Sequence, residues 1–109
     1  MSFAPSHLRI CAIHDLSGFG RASLTVVIPI LATMGFQVCP LPTAVLSSQT
    51  SGMEGFSFLD LTKTMEDFLA HWEKLGLKFS CIYSGFLGNP EQIEFAIETF
   101  FLLKVVKSK

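Results

Sequence analysis

Three short polar segments carry most of the chemistry that this chain offers outside its apolar runs: HDLSGFG at 14–20, LSSQTSG at 46–52 and SGFLGN at 84–89. In the first, Asp15 supplies a carboxylate that could accept hydrogen bonds from a ligand hydroxyl, or could cap the turn. Ser17, Gly18 and Phe19 read as a glycine-bearing turn whose N–H groups, at a helix N-terminus, suit an anion or a polar ring substituent. A plain strand-to-helix turn accounts for it equally well. The segment is neither the six-position dinucleotide fingerprint nor a P-loop, since no Gly-Lys-Ser/Thr follows. His14 reads more readily as a strand-end imidazole than as a general base. In the second segment Ser47, Gln49 and Thr50 bring hydroxyls and an amide, which suit a hydroxylated heteroaromatic ring and serve poorly as acids or bases. Phe86, with Phe19 opposite, could sandwich a flat ring; among eleven phenylalanines, core packing is the simpler role for either. The sequence forms no Ser-His-Asp set, no carboxylate pair at workable spacing and no metal cluster. Any chemistry it supports is incomplete.

These segments need a scaffold, and 109 residues provide one small domain. Half of the residues are hydrophobic and the net charge is −1, which argues against disorder and against a nucleic-acid surface. The apolar content is high for a lone globule of this size and leaves surface for something outside the chain. No membrane span is expected: the richest run, LTVVIPILATMGF, is too short and contains Pro29. The first residues lack the basic segment, continuous apolar core and cleavage site of a secretory signal. Cys11, Cys39 and Cys81 are far apart in apolar runs and read as buried free thiols of a cytoplasmic protein.

The order of elements follows from hydrophobic spacing. LRICAIH is a continuous apolar run typical of a strand covered on both faces. After the glycine turn, Leu24, Val27, Ile28, Leu31 and Met34 predict a helix ending at Gly35, kinked near Thr25 by Pro29. FQVCPLPTAVL reads as a short strand, a proline-broken turn and another extended piece, and SSQTSGMEGFSF as a loop. Asp60 can cap a helix whose face is Leu61, Met65, Phe68, Leu69, Trp72 and Leu75, with Gly76 at its end. KFSCIYSGF is a further strand. Asn89 as cap, Pro90 at the first helical position and Gln92 at the third then start a last helix. Strands alternating with helices predict a parallel α/β sheet whose polar segments converge on one rim, beyond the carboxyl ends of the strands. The final FFLLKVVKSK is apolar on nearly every side, as in the front half of a larger doubly wound domain.

At these same segments the sequence resembles the vitamin B6 kinases, the pyridoxal, pyridoxine and pyridoxamine kinases of the ribokinase-like superfamily. MGFQVCPLPTAVLSSQTSG is similar to their LGxxVxxxxTVxFSNHTxY region, and YSGFLGNPEQIEFAIETF to the segment they write as SGYLGxxEQ. DLSGFG also resembles the DPSGGAG turn of the hydroxymethylpyrimidine phosphate kinases, the nearest alternative. The resemblance implies an α/β fold, a ribokinase-like three-layer α/β/α architecture with a mostly parallel sheet, present here as its N-terminal half. It implies a substrate-binding part over 1–109, with the C-terminal ATP-binding part absent. The implied activity of the full-length family member is ATP-dependent phosphorylation of the 5′-hydroxymethyl group of a B6 vitamer, with ATP and Mg²⁺ as its cofactors. A cytoplasmic homodimer is implied as well. Within this chain the substrate contacts implied by the resemblance are Asp15, Thr50 and Phe86; Ser17, Gly18, Phe19, Ser47 and Gln49 join the candidate set from their own chemistry. The DPVxGD-like strand, the ATP loops and the GTGD-type anion hole with its catalytic aspartate do not occur in these residues, so no kinase activity is expected of them alone. A different class of reading is a non-catalytic module that pairs through its open sheet edge. A flavodoxin-like or nucleotide-binding domain ranks last, for want of a phosphate loop.

Overall fold

A continuous apolar run requires cover on both faces, and in the computed structural model residues 10–13 receive it, whereas Ile30 and Tyr83 of the other runs stay exposed. The structure describes residues 8–20, 23–50, 52–85 and 92. The elements are β1 (Arg9–Phe19), α1 (Leu24–Thr33), β2 (Gln37–Ser48), β3 (Phe58–Asp60), α2 (Thr62–Lys74) and β4 (Cys81–Ser84). They form a mixed α/β unit whose sheet runs in the order β3-β2-β1-β4. β1 is parallel to both β2 and β4, whereas β3 returns antiparallel to β2.

Alternation along β1 divides the core. Cys11 and Ile13 join Leu41, Met65, Leu69 and Phe79 in one buried cluster, with Phe68, Trp72, Leu77 and Ile82 packed against it. Trp72 is at its aromatic centre, with ring centroids 5.7 Å from Phe68 and 5.8 Å from Phe79. Ile10 and Ala12 point to the opposite face and are buried too. α1 contacts these strands, and its first residue, Leu24, is buried. The helix face predicted for α2 holds at Met65, Phe68, Leu69 and Trp72, but Leu75 is exposed. Met34, assigned to the buried stripe of α1, is exposed as well. Pro29 lies inside α1, as predicted.

Several local expectations are corrected. β1 does not stop at His14; it continues through Ser17 and Gly18 to Phe19, and Gly20 follows with φ +131°. β2 is one strand of twelve residues, unbroken by Pro40 and Pro42. Those prolines are two apart, so both missing N–H groups face the same edge, and pairing with β1 passes both positions. Register then shifts: His14 pairs with Pro42 but Leu16 with Val45, so Asp15 opposes both Thr43 and Ala44 across a bulge. β3 begins at Phe58, the last residue of what reads as loop. It is held by pairing with Ala44–Leu46 and by the Ser47 N–H donating to the Ser57 carbonyl at 3.0 Å. Asp60 does serve the start of α2, but from the end of β3: its carboxylate accepts the Thr62 N–H at 3.1 Å and the Thr62 hydroxyl at 3.0 Å. The turn and helix after β4 lie outside the described residues, apart from Gln92. That buried side chain donates its amide to the Thr43 carbonyl at 2.8 Å, beside the Leu61 N–H at 3.0 Å on the same oxygen.

All three cysteines are free, but only Cys11 is fully buried; Cys39 is half-buried and Cys81 exposed. Burial, with a smaller contribution from neighbouring Cys39, pushes the Cys11 thiol up to about 12. In the unfolded chain a thiol titrates near its ordinary value of 9.0. Between those two pH values the unfolded state binds fewer protons than the native one, so stability falls as pH rises. Alkylation followed by mass spectrometry at pH 8 is expected to modify Cys81 first and to spare Cys11 until urea unfolds the chain. Urea midpoints are expected to decline from pH 9 upward. Equal alkylation rates at Cys11 and Cys81 in the native chain would contradict this burial pattern.

Candidate functional site

Because β1, β2 and β4 are parallel, their carboxyl ends lie toward one edge, but that edge is stepped. β4 pairs only with Ile10–Ile13, and the Gly85 N–H then donates to the Ile13 carbonyl at 2.8 Å. β1 and β2 run on together to Phe19 and Ser48. At a strand rise of ~3.3 Å per residue, the Asp15 level and the Phe19 level are ~13 Å apart along the strands. The end of β4 therefore adjoins His14 and Asp15, while Gln49 and Thr50 adjoin Phe19 and Gly20.

The inner step is polar and well connected. Asp15 is 8% exposed, and both carboxylate oxygens are engaged. Oδ2 accepts the Ser17 hydroxyl at 2.7 Å, and Oδ1 lies 2.8 Å from His14 Nδ1. His14 Nδ1 also lies 2.9 Å from the Asp15 amide nitrogen. Ser17 is buried and donates its N–H to Ser23 Oγ at 3.1 Å. Ser23 caps α1, its Oγ accepting from the Thr25 N–H at 3.5 Å. One chain of contacts thus runs from His14 through Asp15 and Ser17 to the start of α1. Thr43, across the bulge, is wholly buried, and its hydroxyl finds no hydrogen-bond partner among the described residues.

The outer step is open. Phe19 is 68% exposed at the end of β1, next to exposed Gly18. The Gln49 N–H donates to the Phe19 carbonyl at 2.9 Å. The Gln49 side chain covers Gly20, where φ is +131° and an added Cβ would come within 2.7 Å of Oε1. Ser47 Oγ accepts the Ser57 N–H at 2.7 Å, so this hydroxyl braces the start of β3. Thr50 is exposed just past β2. Phe86 lies outside the described residues. The structure thus brings Asp15 and Ser17 together in one buried network. It places Gly18, Phe19, Ser47, Gln49 and Thr50 on the projecting β1–β2 end.

Three polar residues were not singled out from the sequence: Ser23, Thr43 and, as a candidate, His14. A serine just before an apolar helix is a readable cap signal. Nothing in the sequence marks Thr43, because its isolation comes from the bulge. Among the described residues, no group of three His, Cys, Asp or Glu side chains could hold a metal ion.

No family model and no curated protein matches the sequence. Solved structures do. A protein of Bacteroides thetaiotaomicron, provisionally described as a phosphomethylpyrimidine kinase and crystallised with pyridoxal, is 57% identical over 88% of this chain, with a TM-score of 0.84. The pyridoxal kinase of Lactobacillus plantarum is 32% identical over 83% of the chain, with a TM-score of 0.75. The pyridoxal kinase of Staphylococcus aureus, solved with AMP-PCP and pyridoxal, is 15% identical with a TM-score of 0.73, which speaks to fold alone. The chain covers 33%, 34% and 35% of those three proteins, about a third of each. In sequence and in mixed α/β fold, the chain matches the N-terminal part of the pyridoxal kinase family of the ribokinase-like superfamily.

Proposed function

We propose that this chain is the substrate-binding part of a kinase that transfers the γ-phosphoryl group of ATP to the hydroxymethyl group of a B6 vitamer. The observation that carries the reading is the 57% identity, across 88% of the chain, to a protein crystallised with pyridoxal. The site consists of Asp15 and Ser17 at the inner step and Gly18, Phe19, Ser47, Gln49 and Thr50 at the outer one, with Phe86 covering the ring. Asp15 acts from within its network, while Thr50 offers an exposed hydroxyl to a ring substituent. Phosphoryl transfer requires charge stabilisation at the moving group and orientation of the attacking hydroxyl. None of these site residues carries a positive charge to stabilise the moving group, so in this reading the chain holds the ring without catalysing the transfer. The second reading, hydroxymethylpyrimidine as the ring, is favoured by the description of the same Bacteroides protein as a phosphomethylpyrimidine kinase. ATP as donor, a homodimeric assembly and a cytoplasmic setting belong to the same proposal.

Calorimetric titration of the full 109-residue chain with pyridoxal, pyridoxamine and hydroxymethylpyrimidine tests it. One vitamer is expected to bind, and Thr50→Ala and Asp15→Ala are each expected to weaken it about tenfold, the worth of one hydrogen bond to a fixed partner. Affinities unchanged in both variants would reject the site; preference for the pyrimidine would select the second reading.

A further inference from the structure

The imidazole of His14 is fixed on three sides. Its ring stacks on Tyr83 with centroids 6.3 Å apart and planes 20° from parallel. Its Cδ2–Nε2 edge lies so close to Gly85 that a Cβ there would collide with Cδ2 and Nε2. On the third side Nδ1 meets Asp15 Oδ1 at 2.8 Å. Two groups face Nδ1, the carboxylate at 2.8 Å and the Asp15 N–H at 2.9 Å, and the charge on the carboxylate favours a proton on the nitrogen. A carboxylate only accepts, so a lone pair on Nδ1 would face another lone pair at hydrogen-bond distance; with a proton there, the contact is a charge-assisted bond. The Asp15 N–H, 2.9 Å away, cannot then donate to the same nitrogen. The other nitrogen is left as an acceptor. Nε2 has no hydrogen-bond partner among the described residues, and in a side chain 14% exposed it keeps some contact with solvent, so a ligand can reach it. An acceptor held this firmly beside the carboxyl end of β4, and left without a donor, is suited to a ligand that brings one.

We infer that His14 is a specificity-determining residue of the proposed ring site, its Nε2 accepting a hydrogen bond from a hydroxyl or amino substituent on the heterocycle, with Asp15 as the positioning residue that fixes the tautomer. The inference rests on the reading given under the proposed function and deepens it. It selects aromatic nitrogen heterocycles with an O–H or N–H donor on the ring over those that lack one. It also gives Asp15 a role that needs no direct contact with the ligand.

Two measurements test it. In ¹⁵N-labelled chain, two-bond proton–nitrogen correlation spectra are expected to show His14 with a protonated Nδ1 and an unprotonated Nε2; the reverse tautomer would overturn the inference without any ligand or variant. In calorimetry, the wild-type chain is expected to bind pyridoxine about tenfold more tightly than 3-deoxypyridoxine. His14→Phe keeps a ring against Tyr83 but has no nitrogen, and should bind the two equally. His14→Gln, a second variant in case the first is poorly folded, should restore part of the preference through its amide oxygen. A preference undiminished in folded His14 variants would overturn the inference while leaving the B6-vitamer reading intact. Failure of the wild-type chain to bind either compound would overturn that reading and the inference together.

Discussion

Phe79→Ala is expected to remove about 3–5 kcal/mol of stability, enough to leave much of the chain unfolded at room temperature. Phe79 is wholly buried and sits where α2 meets the strands, against Trp72 and in the cluster of Ile13, Leu41, Met65 and Leu69. Truncation deletes six ring atoms and leaves a cavity that neighbours on rigid strands cannot close. Urea unfolding followed by Trp72 fluorescence reads both effects, since Trp72 is the single tryptophan and packs on the ring being removed. A native-state red shift should accompany the lower midpoint. An unfolding free energy within about 0.5 kcal/mol of wild type, the size of an ordinary surface change, would mean that Phe79 is not the keystone of this cluster.

Gly85→Ala should cost about 2–3 kcal/mol, for a different reason. A methyl group at Gly85 would occupy the space of the His14 imidazole, so either that ring must leave Tyr83 and Asp15 or the end of β4 must move away from Ile13. The two causes are separable. In a His14→Ala background the obstacle is gone, and the same glycine substitution should be nearly neutral, giving a large coupling in the double-mutant cycle. Additive effects would show that backbone preference at Gly85, not the imidazole, makes glycine necessary. Gly85→Ala in an otherwise wild-type chain should also disturb ligand binding, because it displaces the side chain assigned to reading the ring.

These two positions bracket the device that organises the candidate site. The core under β1 keeps the strand straight as far as Ile13. Beyond it, β4 has ended, β2 bulges, and the polar sequence His14, Asp15, Ser17 is turned into an internally bonded network. A bulge next to a binding edge re-aims side chains without changing the strand pairing on either side. Here it sets two residues of β2 against Asp15 and leaves the Thr43 carbonyl to anchor both Leu61 and Gln92.

Much of the architecture was legible along the chain, because burial periodicity is a local property. The continuous run at 8–14 announces a strand covered on both faces, and the spacing of Met65, Phe68, Leu69 and Trp72 announces the face of α2. The alternation of strands and helices announces the parallel pairing of β1, β2 and β4. The polar segments and their order sufficed to name the family. Other features depended on partners remote in sequence. β3 is three exposed residues with no pattern of their own, and exists because β2 offers it an edge. Pro40 and Pro42 look like strand breakers until the strand's neighbours decide which edge their missing donors face. The stepped edge arises because β4 stops at the level of Ile13 while β1 does not, a register set by packing across the sheet. Asp15 could be picked out as a polar group from its place after an apolar strand. That its carboxylate would be spent on Ser17 and His14 was decided by three-dimensional contacts alone. Hydrogen-bond saturation is a property of neighbours in space, and a linear order of residues does not contain it.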